Sequence, residues 1–235
     1  VFAAFSGSHQ DAIAKGLKWR EAHPQAAWNV PYLPVDPRDI GREYEKDVIR
    51  INSQSGKGGV GYVLESRYAL KLPARLKEAF SKVVKRVTDE GHKELQPAEI
   101  HELFLDTYLR NRRYFSLSEP HYRQREGIDA EAVLTDGRTG ETHALSGHGN
   151  GRLDAVSNML KAYLGIPYSL NGYEQHALTE GSSSKAITYL GVAEGEIGCW
   201  GVGVHDDSTT SSVLALCAAL NNLLAMREKA GAVTR

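Results

Sequence analysis

Three glycine-rich turns and one histidine are the residues whose types could do chemistry. Residues 146–156, SGHGNGRLDAV, run small residues straight into an apolar periodic stretch. A turn that opens a helix this way points backbone N–H groups outward, where the helix dipole favours negative charge. The dinucleotide fingerprint fails here: its third glycine is misplaced, and the preceding segments are hairpin-linked instead of strand–helix–strand. A cradle for a small carboxylate, or a tight strand-to-helix turn, remains. Residues 201–212, GVGVHDDSTTSS, repeat the pattern with a different charge. Asp206, Asp207 and Ser208 suit helix N-capping, and the acidic pair repels an anion but could meet an ammonium group. A ligand with both groups is an amino acid. SGKGG at 55–59 fails the phosphate-loop pattern, because Lys57 is followed by Gly58, Gly59 and a strand-like segment, so it reads as a turn. His9 stands in SGSHQD, and a lone histidine carries little weight by itself. No H-x-H, H-E-x-x-H, C-x-x-C or G-x-S-x-G spacing occurs, so no complete metal site or nucleophile elbow is present in the sequence.

The elements that would hold these residues change character along the chain. Helical spacing covers 9–22, 76–87 and 96–109, with a short helix near 37–41. VIRIN at 48–52 alternates like a strand, and 62–72 reads as a second strand with a break. From 114 onward, extended segments at 114–125, 128–134 and 141–145 precede a helix striped with Leu153, Val156, Leu160, Tyr163 and Leu164. The same order then recurs: 166–176, 186–194 and 199–204, then a helix striped with Val213, Leu216, Cys217, Leu220, Leu223 and Leu224. Gly147 and Gly149 correspond to Gly201 and Gly203. The fold class expected is α+β: small, mostly helical subdomains followed by two pseudo-symmetric βββα units. Neither unit can bury a sheet face and a helix stripe alone, so the two must pack together.

Composition narrows the partners. The 28 Lys+Arg against 29 Asp+Glu leave no field that would favour nucleic acid or a membrane surface. No apolar run is read as long enough to cross a bilayer. Two lone cysteines, Cys199 and Cys217, suit a reducing cytoplasm better than a disulfide scaffold. The abrupt apolar start, VFAAFSGSHQDAI, leads us to expect a piece of a longer protein.

FSGSHQDAI, WNVPYLPVDPRDIGREYE and VIRINSQSGKGGVGYVLE resemble the C-terminal half of the 2-isopropylmalate synthases, and SGHGNGRLDA and GYEQHAL resemble their leucine-sensing regulatory domain. The resemblance implies linker subdomains at 1–54 and 55–113 and a regulatory domain at 114–235. It implies that the whole enzyme condenses acetyl-CoA with 2-oxoisovalerate, on a TIM barrel that carries a divalent metal. The barrel is not in this sequence, so no cofactor is expected in the chain itself and the chain alone is expected to be inactive. His9 and Tyr32 are implied to reach the partner subunit's barrel, His9 for proton transfer and Tyr32 as a hydroxyl donor near the reacting carbonyl. Tyr44 is read as structural. For leucine, the matching positions are Gly149, Asn150, Gly151, Leu153 and Ala155, with Tyr173, His176, Ala177 and Ala186 across from them. Glycines would let the backbone approach the ligand, while Leu153, Ala155 and Ala177 would line an isobutyl pocket. Arg152 and Asp154 depart from the small or apolar residues commoner at those positions. A cytoplasmic homodimer with leucine as feedback inhibitor follows from the resemblance.

Two other readings compete. The same architecture could belong to a citramalate or homocitrate synthase with another effector. A structural dimerisation module without effector binding would also keep the turn glycines.

Overall fold

The computed structural model describes residues 7–42, 57–91, 94–181 and 183–233. The expected strand at 48–52, Tyr44 and the boundary near 54 lie outside them. Two compact units are present, 1–104 and 105–235.

In the first unit, α1 (Gly7–Ala22) is followed by a chain that turns at Val30–Leu33 and by a short 3-10 helix, Pro37–Ile40. Asp36 caps that short helix by accepting from the Arg38 N–H at 3.0 Å, and Gly41 ends it at φ 68°. Ile13, Val30 and Leu33 form a small buried cluster, with Leu17 and Trp28 packed against it. Next come α2 (Lys57–Tyr68), α3 (Ala74–Gly91) and α4 (Pro97–Tyr108). The α3 stripe of Leu76, Phe80, Val84 and Thr88 is buried at four-residue spacing, and Phe80 meets Phe104 edge-on at 5.2 Å. Pro97 takes a first-turn position, and Glu99 reaches back to accept the Gln96 N–H at 2.9 Å, one half of a capping box.

The expected strand over 62–72 is helical as far as Tyr68 and irregular from 69 to 72. Glycines at 58, 59 and 61 are poor helix formers, each costing about 1 kcal/mol against alanine. Packing overrides that cost: Val60, Val63 and Leu64 are fully buried, three and four residues apart. Gly61 lets the stem of Lys77 from α3 lie where a Cβ would stand, with Lys77 Cδ 2.6 Å from that position. The apparent alternation of GYVLESRY came from a helix seen over too short a window.

The second unit holds the two predicted repeats. β3 (Gly127–Asp136) pairs antiparallel with β4 (Thr142–Gly149), and α5 (Arg152–Leu164) follows. β5 (Ser169–Ala177), β6 (Ala186–Glu194) and β7 (Ile197–His205) form the second sheet in that order, followed by α6 (Ser208–Val233). The expected first strand over 114–125 is broken into β1 (Phe115–Leu117) and β2 (His121–Arg125), which lie along the same edge of β3. Leu117 opposes Leu134 while His121 opposes Glu131, so the outer strand carries one extra residue, a bulge. Pro120 has no N–H to donate there, and the Ser118 hydroxyl accepts the Val133 N–H at 2.9 Å in place of a ladder bond.

Each helix packs on its own sheet through the matched glycines. A Cβ on Gly147 would strike Ala155 O and Met159 Cβ of α5, and a Cβ on Gly201 would strike Ala215 O and Ala219 N of α6. Gly149 and Gly203 face the same helices one turn nearer their starts. The G-x-G pairs therefore set backbone contact between helix and sheet. Val156, Leu160, Val213, Leu216 and Leu220 join the two repeats of this second unit in one buried core.

The composition reading missed one feature. The stretch Ser208–Gly231 is long and apolar enough to cross a membrane by those criteria, yet 61% of its apolar window is buried inside the fold. Ser211, Ser212 and Asn221 on it are buried and hydrogen-bonded, so α6 is the core helix.

Candidate functional site

The first locus lies in the 1–104 unit. Val30, Pro31, Tyr32 and Leu33 form a turn closed by the Leu33 N–H donating to Val30 O at 3.2 Å. Proline in second place and a left-handed third residue are the type II pattern, which normally puts glycine where this chain has Tyr32, at φ 63°. Neighbours enforce it. Gly16 of α1 leaves room for Pro31 Cδ, 2.8 Å from where its Cβ would be, and Trp28 Nε1–H donates to Leu33 O at 2.7 Å. The result is an outward-facing phenol, 63% exposed, with its ring 4.0 Å from the His9 ring at the start of α1. Two residues paired by resemblance alone are thus in contact. A left-handed tyrosine costs about 1–3 kcal/mol and persists where surrounding structure imposes it. Tyr32→Gly should therefore leave this unit as stable as before, or up to about 1 kcal/mol more stable after the extra unfolded-state entropy of glycine is counted. Urea denaturation checks this, and a clear loss of stability would mean that the exposed ring contributes packing the geometry does not show.

The second locus is the β4–α5 turn. Gly149 ends β4 and is buried, Asn150 is exposed, and Gly151 is the N-cap of α5 at φ −149°, ψ 173° with no side-chain cap. Asp154 turns back on its own helix and accepts the Asn150 N–H at 2.9 Å. Arg152 lies over the Tyr122 ring at 5.1 Å. Leu153 is half-buried against the core, and Ala155 is fully buried in the seam beneath Gly147 and Gly149. The start of α6 differs. Asp207 accepts from the Thr210 N–H at 2.7 Å and its hydroxyl at 2.8 Å, bonds that hold its carboxyl below the usual carboxylate range. Asp207 thus caps the start of α6 from its N-cap position, whereas at the start of α5 the N-cap Gly151 brings no side chain and the first-turn Asp154 bonds the Asn150 N–H just outside the helix.

The third locus is the β5–β6 pair. Strand alternation puts Tyr173 and Ala177 on the face toward α6, where the Tyr173 hydroxyl meets Ser212 Oγ at 2.9 Å. Ala186 opposes Ala177 on that face. His176 points to the other face, with Nε2 3.2 Å from the Tyr189 hydroxyl. Tyr173 and His176 therefore do not share a surface of one chain. Among the described residues no hydrogen bond links the β4–α5 turn to this pair. Sequence reasoning missed Gln175, which donates to Thr188 Oγ1 at 2.7 Å and to Ser208 O at 2.9 Å. Its spacing of two from Tyr173 was the available signal. Among the described residues, no three His, Cys, Asp or Glu side chains converge to hold a metal ion. Cys199 and Cys217 are buried free thiols, pushed up to about 11 and about 12 by burial, so neither is a ready nucleophile.

Comparison with known proteins places these loci. Residues 1–65 match the family described as alpha-isopropylmalate synthase, post-catalytic domain-like, and residues 94–224 match the LeuA allosteric (dimerisation) domain. The class is thus a post-catalytic region joined to a domain of the LeuA allosteric family. A 2-isopropylmalate synthase of Desulfitobacterium hafniense (strain Y51) is 54% identical over 226 residues, 95% of this chain and 40% of the relative. Those of Helicobacter hepaticus and Azoarcus sp. (strain BH72) are 41% and 44% identical, over 95% and 100% of this chain and 41% and 40% of theirs. The chain belongs to the 2-isopropylmalate synthase family, and it spans about 40% of the length of these curated relatives.

Proposed function

We propose that this chain is the post-catalytic and regulatory part of a cytoplasmic 2-isopropylmalate synthase, that its 105–235 unit binds leucine as a homodimer, and that leucine inhibits the whole enzyme. The uncapped start of α5 carries the reading. Gly151 brings no side-chain cap and has no atom within 4 Å of where its Cβ would be, and Asp154 engages only the Asn150 N–H before it. A leucine carboxylate would meet the first-turn N–H groups of α5 beside Asp154, whereas Asp207 already occupies their counterparts on α6. Leu153 supplies apolar surface beside it, and Tyr173, Ala177 and Ala186 offer a second apolar face.

In the same reading, His9 and Tyr32 serve the catalytic barrel of the partner subunit, where acetyl-CoA, 2-oxoisovalerate and a divalent metal bind. His9 carries a proton and the Tyr32 hydroxyl donates to developing negative charge at the reacting carbonyl. The strained turn that thrusts Tyr32 into solvent supports this role. The chain alone is then catalytically silent.

Calorimetric titration tests the effector. Leucine should bind and raise the melting temperature, by about 2.7 kcal/mol of added stability at a hundredfold excess over Kd. Valine, one methylene shorter, should bind roughly 10–200-fold more weakly. Isoleucine and lysine tested alongside separate this reading from a citramalate or homocitrate effector. Absence of any leucine effect at millimolar concentration would sink it. Gly151→Ala sharpens the test. Its backbone is extended and its surroundings open, so stability should be unchanged while leucine affinity falls about tenfold, because the backbone can no longer approach the ligand. Unchanged affinity would move the carboxylate away from this turn.

A further inference from the structure

A cleft of about 130 Å³ lies within the second unit between the outer strands β1 and β7, with α6 as its floor. At about 30 Å³ per water molecule in the liquid, its enclosed part has room for roughly four or five non-hydrogen atoms. Phe115, Leu117, Val204, Val213 and Leu214 give it an apolar surface, and Ser116, Ser118 and Thr210 line it as well. Its inner end is closed by Asn221, whose amide is fully engaged with the backbone of β1 and α6.

One charged side chain borders the cleft. Arg112 is exposed and, among the described residues, has no ion-pair or hydrogen-bond partner. The nearby carboxylate of Glu228 is taken by Arg113 at 3.2 Å and by the Tyr114 hydroxyl. The lining contains no Asp or Glu. Arg112 is itself one of the residues that line the cleft, as is Cys217 on its floor. Burial pushes that thiol up and keeps it neutral, so among the lining residues no anion answers the arginine.

We propose that this cleft binds a short aliphatic monocarboxylate, with its branched tail against Leu117, Val204, Val213 and Leu214 and its carboxylate on Arg112. The volume excludes nucleotides and drug-sized ligands, which need several hundred Å³. The site is separate from the β4–α5 turn and does not depend on the leucine reading.

The probe is isovalerate, titrated into the intact chain and followed by methyl NMR. Saturable shifts should appear at Leu117, Val204, Val213 and Leu214. Arg112→Gln should weaken binding at least about tenfold, the loss of one charge-assisted pair, with the methyl spectrum otherwise unchanged. Isoamylamine, with the same tail and the opposite charge, should not bind. Leu214→Trp should abolish binding by filling the cleft; if that variant does not fold, Arg112→Gln and the amine decide alone. Equal affinity in Arg112→Gln, equal binding of the amine, or shifts confined to other methyls overturns the proposal. Leucine titrated into Arg112→Gln should still shift residues around Gly151, so failure here and failure of the effector reading give different spectra.

Discussion

Gly203→Ala is expected to lower stability by at least about 3 kcal/mol, the upper end of what overpacking costs. A Cβ at Gly203 would fall on the carbonyl oxygen of Ser211 and 2.6 Å from the Ala215 nitrogen. Both are backbone atoms of α6, so no rotamer change relieves the clash. The helix must move away from β7, taking Leu216 and Leu220 out of the shared core. Ser211 resists that movement, because its hydroxyl donates to Gly203 O at 2.9 Å and to Ala186 O at 3.1 Å. Urea denaturation should show a lower midpoint with an unchanged slope. Gly147→Ala should cost less, since one of the atoms it meets is the Met159 side chain. Together with the neutral Gly151→Ala, the series separates glycines that let a helix lie on a sheet from one that leaves room for a ligand. A Gly203→Ala protein as stable as its parent would show that α6 is not seated on β7 as described.

This contrast explains what was legible in the sequence. The repeat was readable because strand alternation and helix stripes are local patterns, and both recur in the same order. The role of Gly147, Gly149, Gly201 and Gly203 was not readable, because a glycine that opens a turn and one that admits a helix have the same letter. α2 was misread for a related reason: Val60, Val63 and Leu64 are helical in spacing, but the glycines among them blur the period. His176 and Tyr173 were both implied by the resemblance, and strand alternation puts them on opposite faces of β5. The resemblance named His9 and Tyr32 together but implied no contact between them; the structure supplies it. Nothing in the residue types announces that Tyr32 takes a glycine's place in its turn, since only the packing of Gly16 and Trp28 imposes it.

The second large effect expected is at Asn221, where Asn221→Leu should cost at least about 3 kcal/mol although the two side chains share the same branched skeleton. Asn221 is fully buried. Its Oδ1 accepts the N–H groups of Tyr114 at 2.8 Å and Phe115 at 3.2 Å, and its Nδ2 donates to Phe115 O at 3.0 Å and Cys217 O at 2.9 Å. The amide thus takes the place of a neighbouring strand for the outer edge of β1, which pairs with β3 on its other side. Leucine would fill the space and leave two N–H groups and a carbonyl of β1 buried without partners, each costing about 1–3 kcal/mol. Asn222 gives the control. It bonds Thr107 O at 2.9 Å and Trp200 O at 2.8 Å but is only half-buried, so water can replace it. Asn222→Leu should cost about 1 kcal/mol. Hydrogen exchange resolves the mechanism: Asn221→Leu should lose protection first at Tyr114 and Phe115, and uniform loss across the unit would mean that core packing, not strand-edge satisfaction, was disturbed.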